Sequence, residues 1–413
     1  MADYRHPILQ KRNQSEFQQK LLSLMEQNGM DVMMVLNPQH IYYATGYLSK
    51  AAGIPGIMPG IFSVALISRQ SEAVLFMTGL EADEAKLQTR NVEVVSLPTF
   101  YFIDDGTEAS RQERGVDFVS TPAIQLALDT ARDMINDPVI GLEMNALSFN
   151  AAETVLKQIS RDNLVDCGQL LTEARRIKTP WEIDILRLGA QHWDRVVRSV
   201  AQNIEPGMNL LGMDELIMRT AWEMDSQQTL NNIVLITGCG PFVGLSGLGR
   251  NYTLQEGDLV KIDGGGVHLG YTTDISRVWS IGKPSPAKVA CFDVLYSAFQ
   301  KGLEMLKPGI KLSDMYNACR AMVESSNIIP SYPRGHIGHS ISLEATLEDH
   351  PWITAEEHSV FEPGMVVSHE MSYAATANLA HQGSYNIEDT VLITDDGHER
   401  FSFVNETLEW NGE

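Results

Sequence analysis

Four carboxylates and a pair of histidines in the C-terminal half of this 413-residue chain have the types and spacing to do chemistry. The segment KIDGGGVHLGYTTDISRVW, residues 261–279, has two β-compatible runs around a glycine-rich centre. Folded as a hairpin with His268–Leu269 at its tip, it sets Asp263 opposite Asp274 on one face. Facing side chains of an antiparallel pair have Cβ atoms about 4.5–5.5 Å apart, and like charges there repel. A divalent cation removes that repulsion, because hard cations take carboxylate oxygens as ligands. A second pair of strand-like runs, VVSHEMSYA and YNIEDTVLIT, carries Glu370 and Glu388, and their register is left open. Between the two acidic pairs, RGHIGHSISL places His336 and His339 beside glycines. Asp263, Asp274, His339, Glu370 and Glu388 form a donor set for two adjacent metal ions, which can activate a water and polarise a carbonyl. His369 precedes Glu370, so strand alternation turns it to the opposite face.

The elements that must position these groups follow from pattern. Up to about residue 170, helical and strand windows alternate, which predicts an α/β layer with a parallel or mixed sheet. Strands are expected at Asp31–Leu36, Phe62–Ser68, Ala73–Met77, Val92–Leu97 and Val139–Met144. Helices are expected over FQQKLLSLMEQNG, behind a capping box of Ser15 and Gln18, and over 108–134 and 148–160. The glycine- and proline-rich run 53–60 reads as a turn or a mobile loop. Thr179 and Pro180, with Glu182 in the first turn, announce a long amphipathic helix, and two more helices are expected near 285–306 and 312–326. These shifts divide the chain into residues 1–170 and 171–413.

Composition narrows the function. Fifty-three acidic against 31 basic side chains give a formal net charge of −22, which argues against a nucleic-acid partner. No apolar run reaches the roughly 18–20 residues of a membrane span, and the N-terminal stretch lacks an apolar signal core. The four cysteines are scattered, as expected of reduced thiols in a cytoplasmic protein.

The motifs resemble those of the pita-bread metallohydrolases, the M24 peptidase family, and within it the Xaa-Pro dipeptidase and creatinase branch. The likeness is carried by IDGG with Asp263, GYTTDISRVW with Asp274, GHIGHSISLE with His339, EPGMVVSHE with Glu370 and IEDTVLIT with Glu388. EARRIKTPWEIDILRLGA at the boundary adds to it. The resemblance implies an N-terminal creatinase-like α/β domain followed by a C-terminal pita-bread α+β domain. It implies two divalent ions (Mn, Co, Fe or Zn), one bound by Asp263, the other by His339 and Glu370, with Asp274 and Glu388 bridging. Glu370 would manage the proton of a bridging hydroxide, His336 would be a further catalytic donor, and the chain would be a homodimer.

Some positions depart from that pattern. Ser246 and Thr346 stand where the family's peptidases carry substrate-binding histidines, His350 lies close by, and Asn386 replaces a frequent arginine. Loss of both histidines argues against an ordinary Xaa-Pro peptide as substrate, and the resemblance then implies a hydrolase of a C–N bond in a small substrate or dipeptide, with Ser246, Tyr271, His350 and His381 as candidate substrate contacts. A lyase branch that acts on dimethylsulfoniopropionate lacks the same histidines but carries an Asp where this chain has Gly265, so a lyase of a small zwitterion is one alternative. An inactive binding scaffold is the other.

Overall fold

Residues 5–49, 63–97, 121–242, 251–343, 348–375 and 380–409 are described by a computed structural model. Its contacts divide the chain into two units, Met1–Arg175 and Arg176–Glu413.

The first unit is built on a six-stranded mixed sheet of order β4-β3-β2-β1-β5-β6. Its strands are β1 (Val32–Val35), β2 (Val64–Ser68), β3 (Ala73–Thr78), β4 (Val92–Leu97), β5 (Ile140–Leu142) and β6 (Leu164–Asp166). β1, β2 and β3 are apolar and buried along their whole length, as strands covered on both faces must be. Val32 and Met34 share a core with Ala127 and Leu128 of the helix Thr121–Met134. The N-terminal helix Gln14–Gln27 is capped at Asn13, so Ser15 lies inside the first turn and the expected capping box is absent. Residues 53–60 and 108–120 lie outside the described residues.

The second unit carries an antiparallel sheet whose main path runs β12-β11-β13-β14-β10-β8-β7. Its strands are β7 (Leu230–Cys239), β8 (Leu259–His268), β9 (Tyr271–Thr272), β10 (Ile275–Ser280), β11 (His336–Ser340), β12 (Asp349–Thr354), β13 (Val366–Ala375), β14 (Gly383–Ile393) and β15 (His398–Arg400). Four helices pack on it: α1 (Pro180–Ala201), α2 (Leu210–Met224), α3 (Pro286–Met305) and α4 (Leu312–Glu324). Val260 and Ile262 of β8 and Ile275 and Trp279 of β10 join the core of α1 and α2. Met371 of β13 and Ile387 and Val391 of β14 join that of α3 and α4. Side chains alternate along a strand, so the residues between these point to the other face. Those residues are Lys261, Asp263, Ser276, Glu370, Asn386 and Glu388. His369 stays on the helix side, stacked on Phe299 with ring centroids 4.8 Å apart.

The hairpin differs from its expected register. Its tip is Leu269–Gly270, both at positive φ (49° and 88°), as a two-residue loop of the favoured hand requires. Asp263 therefore faces Ser276 rather than Asp274. A slip of two residues keeps every side chain on its face, so the two aspartates are diagonal neighbours. The glycine run lets β8 sit close to its neighbours. A Cβ at Gly264 would lie 2.2 Å from the Val234 carbonyl oxygen, and one at Gly265 2.0 Å from that of Thr273.

α1 begins with a full capping box between Thr179 and Glu182. The spare oxygen of Glu182 accepts from the Tyr271 hydroxyl (3.1 Å), which ties the hairpin to the helix. Behind the hairpin, His192 Nε2–H donates to the Ala221 carbonyl (3.1 Å) and His192 Nδ1 faces His268 Nε2 (3.1 Å). His268 Nδ1 in turn faces the Thr229 hydroxyl (2.8 Å). A carbonyl can only accept, so one direction satisfies the chain: Thr229 donates to His268, and His268 to His192, with both rings neutral.

Burial, with His192 next, lowers the His268 pKa to about 4, and burial lowers that of His192. Unfolded, both rings take up protons near pH 6.5. Between those values the unfolded chain binds more protons, so stability is fully present above about pH 6.5 and is lost as pH falls toward 4. At 1.36 kcal/mol per pH unit, His268 alone accounts for about 3 kcal/mol. Urea unfolding of the native chain and of His268→Gln at pH 7 and pH 4.5 checks this. The loss on acidification should be smaller in the variant, and equal losses would contradict it.

Candidate metal centre

Strand pairing brings the acidic residues into one lattice. Asp263 faces Ser276, Ser276 faces Glu388, and Glu388 faces Glu370, a row across β8, β10, β14 and β13. The register of Glu370 and Glu388, which the sequence left open, is direct opposition. One step along, Thr390 faces Ser368 and Ser368 faces His339 of β11. Asp274 enters just before β10. Its backbone carbonyl accepts from Ser368 Oγ (2.8 Å) and Thr390 Oγ1 (2.9 Å).

Asp274, His339 and Glu388 are all buried and offer ligand atoms within 4.8 Å of one another. His339 Nε2 lies 3.6 Å from Asp274 Oδ2 and 3.8 Å from Glu388 Oε1. His339 Nδ1 lies 2.9 Å from the Ser340 carbonyl oxygen, so it carries the proton and leaves the Nε2 lone pair facing the two carboxylates. Asp274 Oδ1 is buried with no hydrogen-bond partner. Burial first, and then the charges of Asp263, Glu370 and Glu348, raise the Asp274 pKa well above the ordinary aspartate value. Burial, followed by Asp274, Glu370 and Asp263, does the same to Glu388. A buried carboxylate oxygen without a donor, a second carboxylate and an imidazole lone pair fit a divalent cation.

A second cluster holds Glu370, His336 and Glu348. Arg334 Nη2 lies 2.5 Å from Glu370 Oε1 and 4.0 Å from Glu348 Oε1. His336 Nδ1 lies 3.3 Å from Glu370 Oε1, and its Nε2 3.7 Å from Glu348 Oε2. Burial works to raise the Glu370 pKa, but Arg334, His336 and His339 outweigh it and hold the carboxyl below its usual range. Burial lowers the His336 pKa. The cluster therefore presents the Glu370 carboxylate, held ionised, between the Arg334 guanidinium and the His336 imidazole.

Asp263 belongs to neither cluster. Lys261 Nζ donates to its Oδ2 (2.8 Å) and Asn386 Nδ2 to its Oδ1 (3.3 Å). The same amide donates to Glu388 Oε2 (3.2 Å). Tyr271 is buried against Trp181, away from solvent. His350 lies on β12 with Glu357 3.5 Å from its Nε2. His381 stacks near Tyr373, with ring centroids 6.2 Å apart. Ser246 and Thr346 lie outside the described residues. Lys261, Arg334, Glu348 and Ser368 were not singled out from the sequence. Lys261 and Ser368 could have been, since each sits two residues before a carboxylate and so shares its face.

Residues 184–395 match the sequence profile of metallopeptidase family M24, and residues 18–177 that of the creatinase/prolidase N-terminal domain. The chain is 23% identical over 382 residues to an uncharacterized peptidase of Bacillus subtilis, covering 92% of this chain and 96% of that protein. It is 22% identical over 390 residues to an Xaa-Pro dipeptidase of Pyrococcus furiosus, covering 94% and 98%. The fold is similar to that of an Xaa-Pro dipeptidase from Bacillus anthracis, with a TM-score of 0.76 and 20% identity over 95% of this chain and all of that one. Among the described residues no helix is long and apolar enough to cross a membrane.

Proposed function

The chain belongs to metallopeptidase family M24, a family of divalent-metal hydrolases, and on that premise we propose that it hydrolyses dipeptides, Xaa-Pro dipeptides first among them. The observation that carries the reading is the buried set of Asp274, His339 and Glu388, with Asp274 Oδ1 left without a donor. Asp274, His339 and Glu388 would hold a divalent ion, with Mn, Co, Fe and Zn all suited to such donors. When bound, the ion supplies Lewis-acid polarisation of the scissile carbonyl and activation of water.

The chain's own residues do the rest. Glu370, ionised beside Arg334, accepts the proton of the attacking water and passes it to the leaving amine. His336, with its Nδ1 3.3 Å from Glu370 Oε1, lies beside that carboxylate and helps to hold its charge. Arg334 keeps Glu370 charged before the proton moves. Ser368 donates to Glu388 Oε1 (2.8 Å) and holds that carboxylate in place.

The lyase alternative loses ground on one observation. The aspartate of that branch would fall at Gly265, where even a Cβ would lie 2.0 Å from the Thr273 carbonyl oxygen. Glycyl-proline turnover by the manganese-loaded protein, before and after chelation, tests the reading. Loss of activity on chelation and its return with manganese are expected, and ¹⁸O from labelled water should appear in the product carboxylate. Turnover that survives chelation, or product without label, would overturn it. We also propose that the active form is a homodimer acting in the cytoplasm.

A further inference from the structure

The five residues expected to hold two ions are not equivalent. Asp263, the only one assigned solely to a second ion, has both carboxylate oxygens engaged, one by the Lys261 ammonium and one by the Asn386 amide. Lys261 is 6% exposed, and strand parity on β8 fixes it on the same face as Asp263. The ion pair therefore follows from the strand itself. Glu370 already has a cation in Arg334. Among the described residues no lysine or arginine forms an ion pair with the carboxylate of Asp274 or Glu388, which pair with His339 alone, and Asp274 Oδ1 has no donor at all.

Charge gives the same answer. Of the four expected carboxylate ligands, Asp263 and Glu370 are neutralised by Lys261 and Arg334. Asp274 and Glu388 remain, and one divalent cation balances them. Glu348 adds a charge at the more exposed rim, where its side chain is 38% accessible and solvent screens it. An ion bound to Asp263 would have to lie next to the Lys261 ammonium, with like-charge repulsion in a poorly solvated site.

We propose that this chain binds a single divalent ion, at Asp274, His339 and Glu388, and that the Lys261 ammonium takes the place of a second ion's charge at Asp263. This rests on the metallohydrolase reading above and departs from the two ions implied by resemblance. A three-ligand site with open positions is the ordinary arrangement of a mononuclear catalytic ion.

Metal stoichiometry tests the proposal without reference to turnover. The full-length protein is loaded with excess manganese(II), desalted and analysed for bound metal per chain, then titrated calorimetrically. One ion per chain is expected for the native protein, and a second for Lys261→Met, which keeps the aliphatic stem and removes the charge. Asp263→Asn should keep its one ion with an affinity within about threefold of native, whereas a lost ligand costs well beyond the 10–100-fold of a supporting residue. Two ions in the native protein, a Lys261→Met variant that stays at one, or loss of the ion from Asp263→Asn would each overturn it. If Lys261→Met fails to fold, the native count and Asp263→Asn still decide. No ion in the native protein would overturn both readings, whereas two would overturn this one alone.

Discussion

Asp274→Asn is expected to lose bound metal and hydrolysis together, with activity down by roughly 10³-fold or more, since even residues that merely support a ligand cost 10–100-fold. The substitution is close to isosteric, and the Asp274 backbone carbonyl stays anchored by Ser368 and Thr390. The fold should therefore survive. In the metal-free protein, burial and the neighbouring carboxylates destabilise the Asp274 charge. A neutral amide relieves that repulsion, so the metal-free variant should unfold no earlier than the metal-free native chain. Bound manganese, glycyl-proline turnover and thermal unfolding, measured on one preparation, separate the outcomes. Retained metal and near-native turnover would remove Asp274 from the site. Early unfolding of the metal-free variant would show that its carboxylate serves the fold.

Arg277→Met should have the largest effect on stability. Arg277 is 1% exposed, on the helix side of β10, immediately behind the row of carboxylates. Its Nη2 reaches Asp194 Oδ1 of α1 (2.5 Å) and Asp389 Oδ1 of β14 (3.0 Å). Its Nη1 donates to the carbonyls of Ser276 (2.9 Å) and Glu388 (2.6 Å). One guanidinium thus holds β10, β14 and α1 together beneath the site. Burial raises the Asp389 pKa against the opposing pull of Arg277 and Arg400. The network is therefore costly to assemble, as buried ion pairs generally are, but without Arg277 the carboxylates of Asp194 and Asp389 keep only Arg198 and Arg400, and the Ser276 and Glu388 carbonyls lose their donor. That loss is about 3 kcal/mol, the low end for breaking a buried pair because each carboxylate keeps one arginine, or on the order of 10 °C in the melting transition of a unit this size. Differential scanning calorimetry of the variant checks it, and a shift of only a degree or two would show that water or relaxation replaces the guanidinium.

The sequence made some of this architecture legible through alternation. Lys261 and Asp263 alternating with Val260 and Ile262, or Glu388 beside Ile387, mark a strand with one face on a core and one on a polar surface. The α1 start was legible because Thr179, Pro180 and Glu182 each act within one turn. The hairpin register was not, because nothing local marks Leu269 as a residue that will adopt positive φ. α2 went unread because Leu211, Met218 and Trp222 lie 37%, 48% and 51% exposed, which blurs its apolar stripe. β7 shows no alternation, with a run of half-buried residues at its centre. Arg334 and Glu348 were invisible for another reason. Arg334 precedes β11 and Glu348 precedes β12, so no strand period binds them to Glu370, and only the tertiary fold brings them there.

The strict two-sidedness of the C-terminal sheet also limits how this protein can change over evolutionary time. Deleting one residue from β8 would rotate Val260 and Ile262 into the polar cleft and drive Lys261 and Asp263 into the hydrocarbon of α1 and α2. Length variation within these strands should therefore survive only in steps of two. Lineages of this chain should concentrate odd-numbered insertions and deletions in the connections between strands, where a shift in reading frame of the pleat has nothing to invert.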